Sequence, residues 1–146
     1  MAFGPTPPAI QVHLCVTRGN EAIRFYEKAF DGVCTMKQMA DDGVRVMHAN
    51  IDLFGSEIML HDEFPEHDSE VLSPLNRQGA SVAININLPA AEDVDAAMAR
   101  AEKAGAVVIM APQDTFWCAR YGRLRDPYGH VWAFNAPLPP AQASQS

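Results

Sequence analysis

Residues 114–135 read DTFWCARYGRLRDPYGHVWAFN, and Asp126-Pro127-Tyr128-Gly129 within this stretch predicts a tight turn between strands at 120–125 and 131–135. The aspartate can accept hydrogen bonds from the turn backbone, and the glycine allows a positive φ angle. The same Asp-x-aromatic-Gly pattern occurs at residues 52–55. The two turn glycines are 74 positions apart (129 − 55), which indicates a repeated unit.

Segments upstream of both turns repeat at nearly the same spacing. Residues 10–16 and 82–88 alternate apolar and polar side chains, which is typical of half-buried strands. A helix with a 3.6-residue apolar period follows each of them. We expect the first helix to run from Asn20, as its N-cap, to Gly32, and the second helix to end at Gly105. A strand, a helix and a turn that recur at one offset predict a βαβββ module used twice.

The predicted fold class is α+β, with two tandem βαβββ modules that form a curved, eight-stranded open cup. Each helix covers one face of its sheet, so the opposite, polar face must meet solvent, a ligand or the other module. The expected segments are a loose tail at 1–9, a first module at 10–61, a connector at 62–80, a second module at 81–135 and a loose tail at 136–146. The connector is long, so we expect it to be functional or interfacial.

Composition limits the classes of partner. The net charge of −7 argues against nucleic acid, because phosphate contacts need clustered Lys and Arg. No stretch approaches the ~20 apolar residues that span a bilayer. The N-terminus lacks the layout of a signal peptide, and the three cysteines are widely spaced, as expected for free thiols in a reducing compartment. We therefore expect a cytoplasmic protein without membrane or nucleic-acid partners.

Four stretches carry a resemblance to a known family. They are AIRFYEKAF at 22–30, MHANIDLFGSEIMLHDEFPE at 47–66, DVDAAMARAEKAGA at 93–106, and residues 114–135 quoted above. Over about residues 10–135 the chain resembles the PhnB-like branch of the glyoxalase/bleomycin-resistance (vicinal oxygen chelate) superfamily. The resemblance implies paired modules, a small-molecule ligand in a cup lined by the sheet, and a homodimer. That superfamily includes metal-dependent isomerases, lyases and dioxygenases, and also drug-sequestering proteins.

The same resemblance tells us where a metal would be held. In metal-dependent relatives the ligands are His or Gln near the start of each module's first strand, and Glu four residues after each turn glycine. The glutamate positions hold Met59 and Ala133 here, and neither side chain suits a hard divalent ion. The first strand of the second module offers only Ser81 or Ala83. We therefore expect no metal at the usual positions, and the cofactor is unknown.

Three histidines offer a different chemistry. Side-chain alternation places His13, His48 and His61 on the polar face of the first module. Three imidazoles could bind a divalent metal such as zinc or iron, or they could instead bond a ligand, water or backbone groups. Without a metal, His13 and His48 are our candidates for catalysis as general acids or bases near neutral pH.

Further candidate ligand contacts come from both modules. They are Gln11, Asn50, Met59, Asn85, Trp117, Arg120, Tyr121 and Ala133. Trp117 and Tyr121 could stack on a planar ligand, or could simply close the mouth of the core, and Arg120 could pair with an anion. Cys118 and Ala119 stand where the resembled branch commonly has a glycine and an acid.

Two functions fit these observations. The first is a glyoxalase-like lyase or isomerase of undetermined substrate, favoured by the polar, histidine-rich face. The alternative is a non-catalytic protein that sequesters a small molecule or an antibiotic, as in the bleomycin-resistance type, favoured by the missing carboxylates.

Overall fold

The computed structural model describes residues 8–140, and over this range eight strands and three helices follow one another. The first five elements are β1 (His13–Val16), α1 (Gly19–Phe30), β2 (Val33–Met39), β3 (Val46–Leu53) and β4 (Ser56–Asp62). The other six are α2 (Pro74–Arg77), β5 (Ala83–Asn87), α3 (Ala91–Ala104), β6 (Val107–Asp114), β7 (Ala119–Arg125) and β8 (Val131–Pro137). The predicted tails lie largely outside the described residues.

The strands form two four-stranded mixed sheets of the same topology. The first has the order β1-β4-β3-β2 and the second the order β5-β8-β7-β6. In each, the first strand pairs in parallel with the last strand of its module, and the remaining pairs are antiparallel. The α+β class and the twice-used βαβββ module are confirmed.

The chain divides into two compact units. One contains the described residues up to Glu27 together with Asp31–Ser73, and the other contains Lys28–Phe30 and the described residues from Pro74 onward. None of the three helices within residues 8–140 is long and apolar enough to cross a membrane.

Each unit has an apolar core on one face of its sheet. In the second unit, α3 packs on β6, β7 and β8. Gly122 permits this approach, because a Cβ there would meet the Met98 sulfur. The fully buried large side chains of the second unit include Trp132, Tyr128, Phe134, Met98, Leu124 and Val94, and those of the first include Tyr26, Ile51, Leu53, Leu60, Val16 and Val46.

A side chain distant in sequence caps the start of α1. The prediction that Asn20 is the N-cap is wrong, because the helix begins at Gly19 and its N-cap residue, Arg18, makes no side-chain capping bond. The buried Asp62 carboxylate, at the end of β4, instead accepts hydrogen bonds from Gly19 N, at 2.9 and 3.0 Å, and from Val46 N at 2.7 Å. A carboxylate at this place also complements the positive end of the helix dipole.

The two Asp-x-aromatic-Gly turns differ in geometry. The first is a two-residue hairpin in which Phe54 and Gly55 both have positive φ angles, 51° and 80°. The second has a longer loop, closed by a hydrogen bond from Asp126 N to His130 O at 2.9 Å. The Asp126 carboxylate is buried and organises this loop from inside.

A β-bulge alters the start of β3. Alternation predicts that Met47 faces the core and Val46 the polar side, but Met47 is exposed and Val46 is fully buried. Gln38 pairs with His48 and the next residue, Met39, pairs with Val46, so Met47 is an extra residue. An extra residue of this kind resets the alternation of side chains along a strand.

Candidate functional site

The polar face of the first sheet carries a row of side chains across three strands. His13 on β1 is paired with Met59 on β4, and Met59 is paired with Asn50 on β3. Paired residues project to the same face, and so do residues two positions along each strand. His61 and His48 therefore belong to this face as well.

His13, His48 and His61, which we call the histidine cluster, lie in ring contact. The His13 ring centroid is 4.7 Å from that of His61 and 5.5 Å from that of His48, both edge to face. His13 is exposed, whereas His48 and His61 are half-buried. The structure thus brings together the three histidines that alternation placed on one face, with His13 open to an incoming molecule.

Neighbouring groups orient two of the rings. His61 Nδ1 lies 2.6 Å from the backbone oxygen of Asp62, and because a carbonyl only accepts, this nitrogen donates. His48 Nε2 lies 2.8 Å from Asn50 Oδ1 and donates to it in the same way. In the neutral state each ring therefore keeps a lone pair on its other nitrogen, Nε2 of His61 and Nδ1 of His48.

The pKa of His13 is lowered from its ordinary value. The main cause is partial burial of the ring, and the positive charges that His61 and His48 can carry add to it. His13 is therefore neutral at neutral pH, and a neutral imidazole can accept a proton.

Two further side chains of the first unit, Gln11 and Cys15, have structural contacts. Gln11 Nε2 donates to Glu57 Oε1 at 2.9 Å. Cys15, opposite His61 in register, is buried, and its Sγ lies 3.6 Å from the backbone oxygen of Val71 in the connector. Burial and nearby carboxylates raise the pKa of Cys15 to about 12, so its thiol is inert at neutral pH.

The polar face of the second sheet repeats the row with different residues. Asn85 on β5 is paired with Ala133 on β8, and Ala133 with Arg123 on β7. One step along, Asn87, Asn135 and Tyr121 are paired in the same way.

Amide hydrogen bonds link this face to the loop before β7. Asn85 and Asn135 both donate through Nδ2 to Asn87 Oδ1, at 3.0 and 3.4 Å, and Trp117 Nε1 donates to Asn135 Oδ1 at 3.3 Å. The Trp117 ring packs edge to face on Tyr121 with centroids 5.5 Å apart. Trp117 and Tyr121 are thus brought together, and half of the Trp117 surface stays exposed.

Arg120 lies on the opposite, helix-facing side of the second sheet. Its guanidinium donates to both carboxylate oxygens of Asp95 on α3, at 3.0 Å each, and to Asp114 on β6 at 2.7 Å. The arginines of β7 on the polar face are Arg123 and Arg125, and neither is among the predicted ligand contacts. Strand alternation was the available signal, because residues 120 and 123 point to opposite faces.

Cys118 has an unfavourable backbone conformation. Its φ angle is 61°, in the left-handed region, where a side chain is strained. The turn is fixed on both sides, because Cys118 N donates to Thr115 O and Leu138 N donates to Cys118 O.

We expect Cys118→Gly to raise the free energy of unfolding by ~0.5–1 kcal/mol, since relief of the left-handed strain outweighs the added entropy of the unfolded chain. Urea unfolding measures the change. Cys118→Ala is the matched control, because it removes the thiol and retains the strain. Equal midpoints for the two variants would contradict this explanation.

Comparison with known proteins gives the family. The model of the Glyoxalase/Bleomycin resistance protein/Dioxygenase superfamily matches residues 9–134. The chain belongs to this superfamily. It is 37% identical over 132 residues to protein Rv0887c of Mycobacterium tuberculosis, covering 90% of this chain and 75% of that one.

Solved structures share its fold. TioX from Micromonospora sp. ML1 is 25% identical with a TM-score of 0.65, and covers 88% of this chain and 95% of its own. A PhnB protein from Bacillus cereus is 19% identical with a TM-score of 0.67, covering 88% and 99%.

The residues present do not fit the usual superfamily metal site. Met59 presents a thioether and Ala133 a methyl group at the two glutamate positions, and Ala133 is buried between Asn85 and Arg123. Among residues 8–140, no three His, Cys, Asp or Glu side chains are arranged to hold a metal ion.

Proposed function

We propose that this superfamily member is a lyase- or isomerase-type enzyme that binds a small molecule on the polar face of the first sheet, where His13 accepts a proton from it. The observation that carries the proposal is the exposed His13 ring, kept neutral by its surroundings and in contact with His48 and His61. A neutral, accessible imidazole is the commonest general base in enzymes.

We propose that Asn50 and His48, on the same face as His13, also take part in the reaction. Asn50 Oδ1 accepts a hydrogen bond from His48, and Asn50 Nδ2 can still donate one to a ligand. Such a donor can stabilise negative charge that forms on a carbonyl oxygen when the neighbouring C–H bond loses its proton. We infer a substrate with a C–H group next to a carbonyl, with His13 as proton acceptor and His48 as the second acid–base group.

The places of other side chains on the two sheets support further ligand contacts. Met59 lies in the row of the first sheet and Gln11 just before β1, and we propose that both contact the ligand. On the second sheet, taken by itself, we propose that Asn85, Tyr121 and Trp117 contact a ligand. Ala133 contributes at most a small contact, since only 1% of its surface is exposed.

Proton exchange in D2O tests the proposal. A panel of small ketones, α-keto acids and β-keto acids is incubated with the protein, and loss of C–H signals is followed by 1H NMR. We expect protein-dependent exchange for part of the panel, and a rate ~10²- to 10⁴-fold lower in His13→Asn. His67→Asn is the matched control, since His67 is an exposed connector histidine. Equal rates in the two variants would remove His13 from the chemistry.

Sequestration of a small molecule is the second candidate function. Phe116 and Trp117 are 89% and 49% exposed, and their rings are in edge-to-face contact. Exposed rings of this kind offer an aromatic ligand a surface on which to stack. Binding of panel members without any exchange would favour this function over catalysis.

We further propose a cytoplasmic homodimer. Exposed apolar side chains on the edge strand β6, namely Val107, Ile109 and Met110, support an interface between copies. The free thiols Cys15, Cys34 and Cys118 support a reducing compartment. A clean monomer in light scattering at micromolar concentration would contradict the dimer.

A further inference from the structure

We propose that the polar face of the second sheet binds an aromatic carboxylate, held by Arg123 and Tyr121 with its ring against Trp117. The proposal stands on the second compact unit alone and does not rest on the histidine cluster.

Arg123 is a cation without a carboxylate partner among residues 8–140. It is half-buried on β7, and its register neighbours, Ala133 on β8 and Met110 on β6, are uncharged. Its one hydrogen bond runs from Nε to the Tyr121 hydroxyl at 2.7 Å. Arg45 and Arg120, by contrast, each pair with two carboxylates. In a chain of net charge −7, a half-buried guanidinium without a counter-ion favours an anionic ligand.

Tyr121 adds a second donor beside the guanidinium. Its hydroxyl oxygen accepts from Arg123 Nε, so its own O–H proton is directed elsewhere. The Arg123 Nη groups and the Tyr121 O–H together provide donors for the two oxygens of a carboxylate. Charge-assisted hydrogen bonds of this kind are the stronger class.

The groups around Arg123 do not repel an anion. Asn85, Asn87 and Asn135 are neutral, and they are linked to one another through the Asn87 amide oxygen. Of the acids near the second sheet, Asp95 and Asp114 are bound by Arg120 on the helix-facing side, and Asp126 is buried and bonded to the Trp132 indole. The positive charge of Arg123 is therefore not cancelled on its own face.

The position and exposure of the Trp117 ring indicate that the ligand contains an aromatic ring. Its indole nitrogen is held by Asn135, and its ring contacts Tyr121, which is bonded to Arg123. The Trp117 surface is half exposed. A flat ring attached to a carboxylate can bridge the guanidinium and an exposed indole, whereas a small aliphatic acid can use only the guanidinium.

Benzoate is the probe for the test, with benzamide as its uncharged analogue. Binding is followed by 1H–15N NMR at the Trp117 indole N–H and the Arg123 Nε–H. The Trp132 indole, buried and bonded to Asp126, serves as the internal reference. We expect benzoate to shift the Trp117 and Arg123 signals with a Kd on the order of 1 mM, and benzamide and acetate to bind at least ~10-fold more weakly.

Substitutions on β7 test whether Arg123 is the positive charge that binds benzoate. Arg123→Gln should weaken benzoate binding ~10- to 100-fold. Arg125→Gln, which removes an exposed positive charge two residues along β7, should change it by less than about twofold. Tyr121→Phe should weaken benzoate binding several-fold while leaving the fold intact.

Each of four results would overturn the proposal. They are no shift with benzoate, equal affinities for benzoate and benzamide, equal losses in Arg123→Gln and Arg125→Gln, and much tighter binding of phenyl phosphate than of benzoate. Because the first comparison uses the unmodified protein, it decides the question even if a variant fails to fold. Failure here leaves the exchange experiment on His13 unaffected.

Discussion

Replacing Asp62 with alanine is expected to lower the free energy of unfolding by ~3–5 kcal/mol, because two buried backbone N–H groups would lose their acceptor. These groups are Gly19 N, at the start of α1, and Val46 N, on β3. Asp62 is only 4% exposed, so water cannot easily replace the carboxylate. The helix dipole would also lose a favourable charge.

Urea unfolding of matched variants measures this effect. Asp62→Asn should cost less, ~2 kcal/mol, since one amide oxygen still accepts while the NH2 group faces a backbone donor. Asp52→Ala is the control, because Asp52 is an exposed carboxylate of the same sheet and its loss should stay within ~0.5 kcal/mol. Similar midpoints for Asp62→Ala and Asp52→Ala would show that the capping contact is not significant for stability.

Asp126→Ala is expected to be the second large loss, at ~3 kcal/mol. One carboxylate oxygen accepts from Tyr128 N and His130 N, at 2.9 and 3.0 Å, and the other accepts from the indole of Trp132 at 2.9 Å. Trp132 is fully buried, so its N–H would be left without a partner inside the core.

A double-mutant cycle isolates the indole contribution to this loss. Trp132→Phe removes the buried donor, so in that background Asp126→Ala should cost ~1 kcal/mol less than in the unmodified protein. A cost that is the same in both backgrounds would assign the whole effect to the loop backbone instead. Asp52, at the equivalent place in the first turn, is exposed and again serves as the control.

Local patterns in the sequence were sufficient for the fold. The alternating segments at 10–16 and 82–88, the helix that stops at Gly105 and the repeated turn predict the two modules, and the structure has strands at His13–Val16 and Ala83–Asn87, a helix that ends at Ala104 and both turns. Burial along β1 does not alternate, because Cys15 is buried together with Leu14 and Val16. Contacts between residues distant in the chain were not predictable in this way. The cap of α1 comes from Asp62, 43 residues beyond Gly19, and no local pattern at Asn20 indicates it.

In the candidate site, too, local sequence patterns predicted some features, whereas contacts between distant residues were not predictable. Alternation was enough to place the three histidines on one face, since His48 follows the β-bulge of β3 and the pairing of His13 and His61 is regular. It could not show that the connector covers Cys15, nor that Arg120 pairs with Asp95, 25 residues away on a helix. Alternation could have placed Arg123 on the polar face, but which arginine of β7 has a carboxylate partner depends on the packing of α3.

The pH titration of His13 tests the central claim most directly. With its pKa lowered, His13 binds fewer protons in the folded than in the unfolded chain, so its contribution to stability should fall as the pH drops below the unfolded value of about 6.5. The imidazole Cε1–H signals, assigned with His→Gln variants, report each pKa by NMR.

We predict that His13 titrates below 6.5, that His61→Gln and His48→Gln each raise its pKa, and that His67→Gln leaves it unchanged. A His13 that titrates at or above 6.5, or that does not respond to loss of either neighbour, would contradict the neutral histidine on which the proposed chemistry depends.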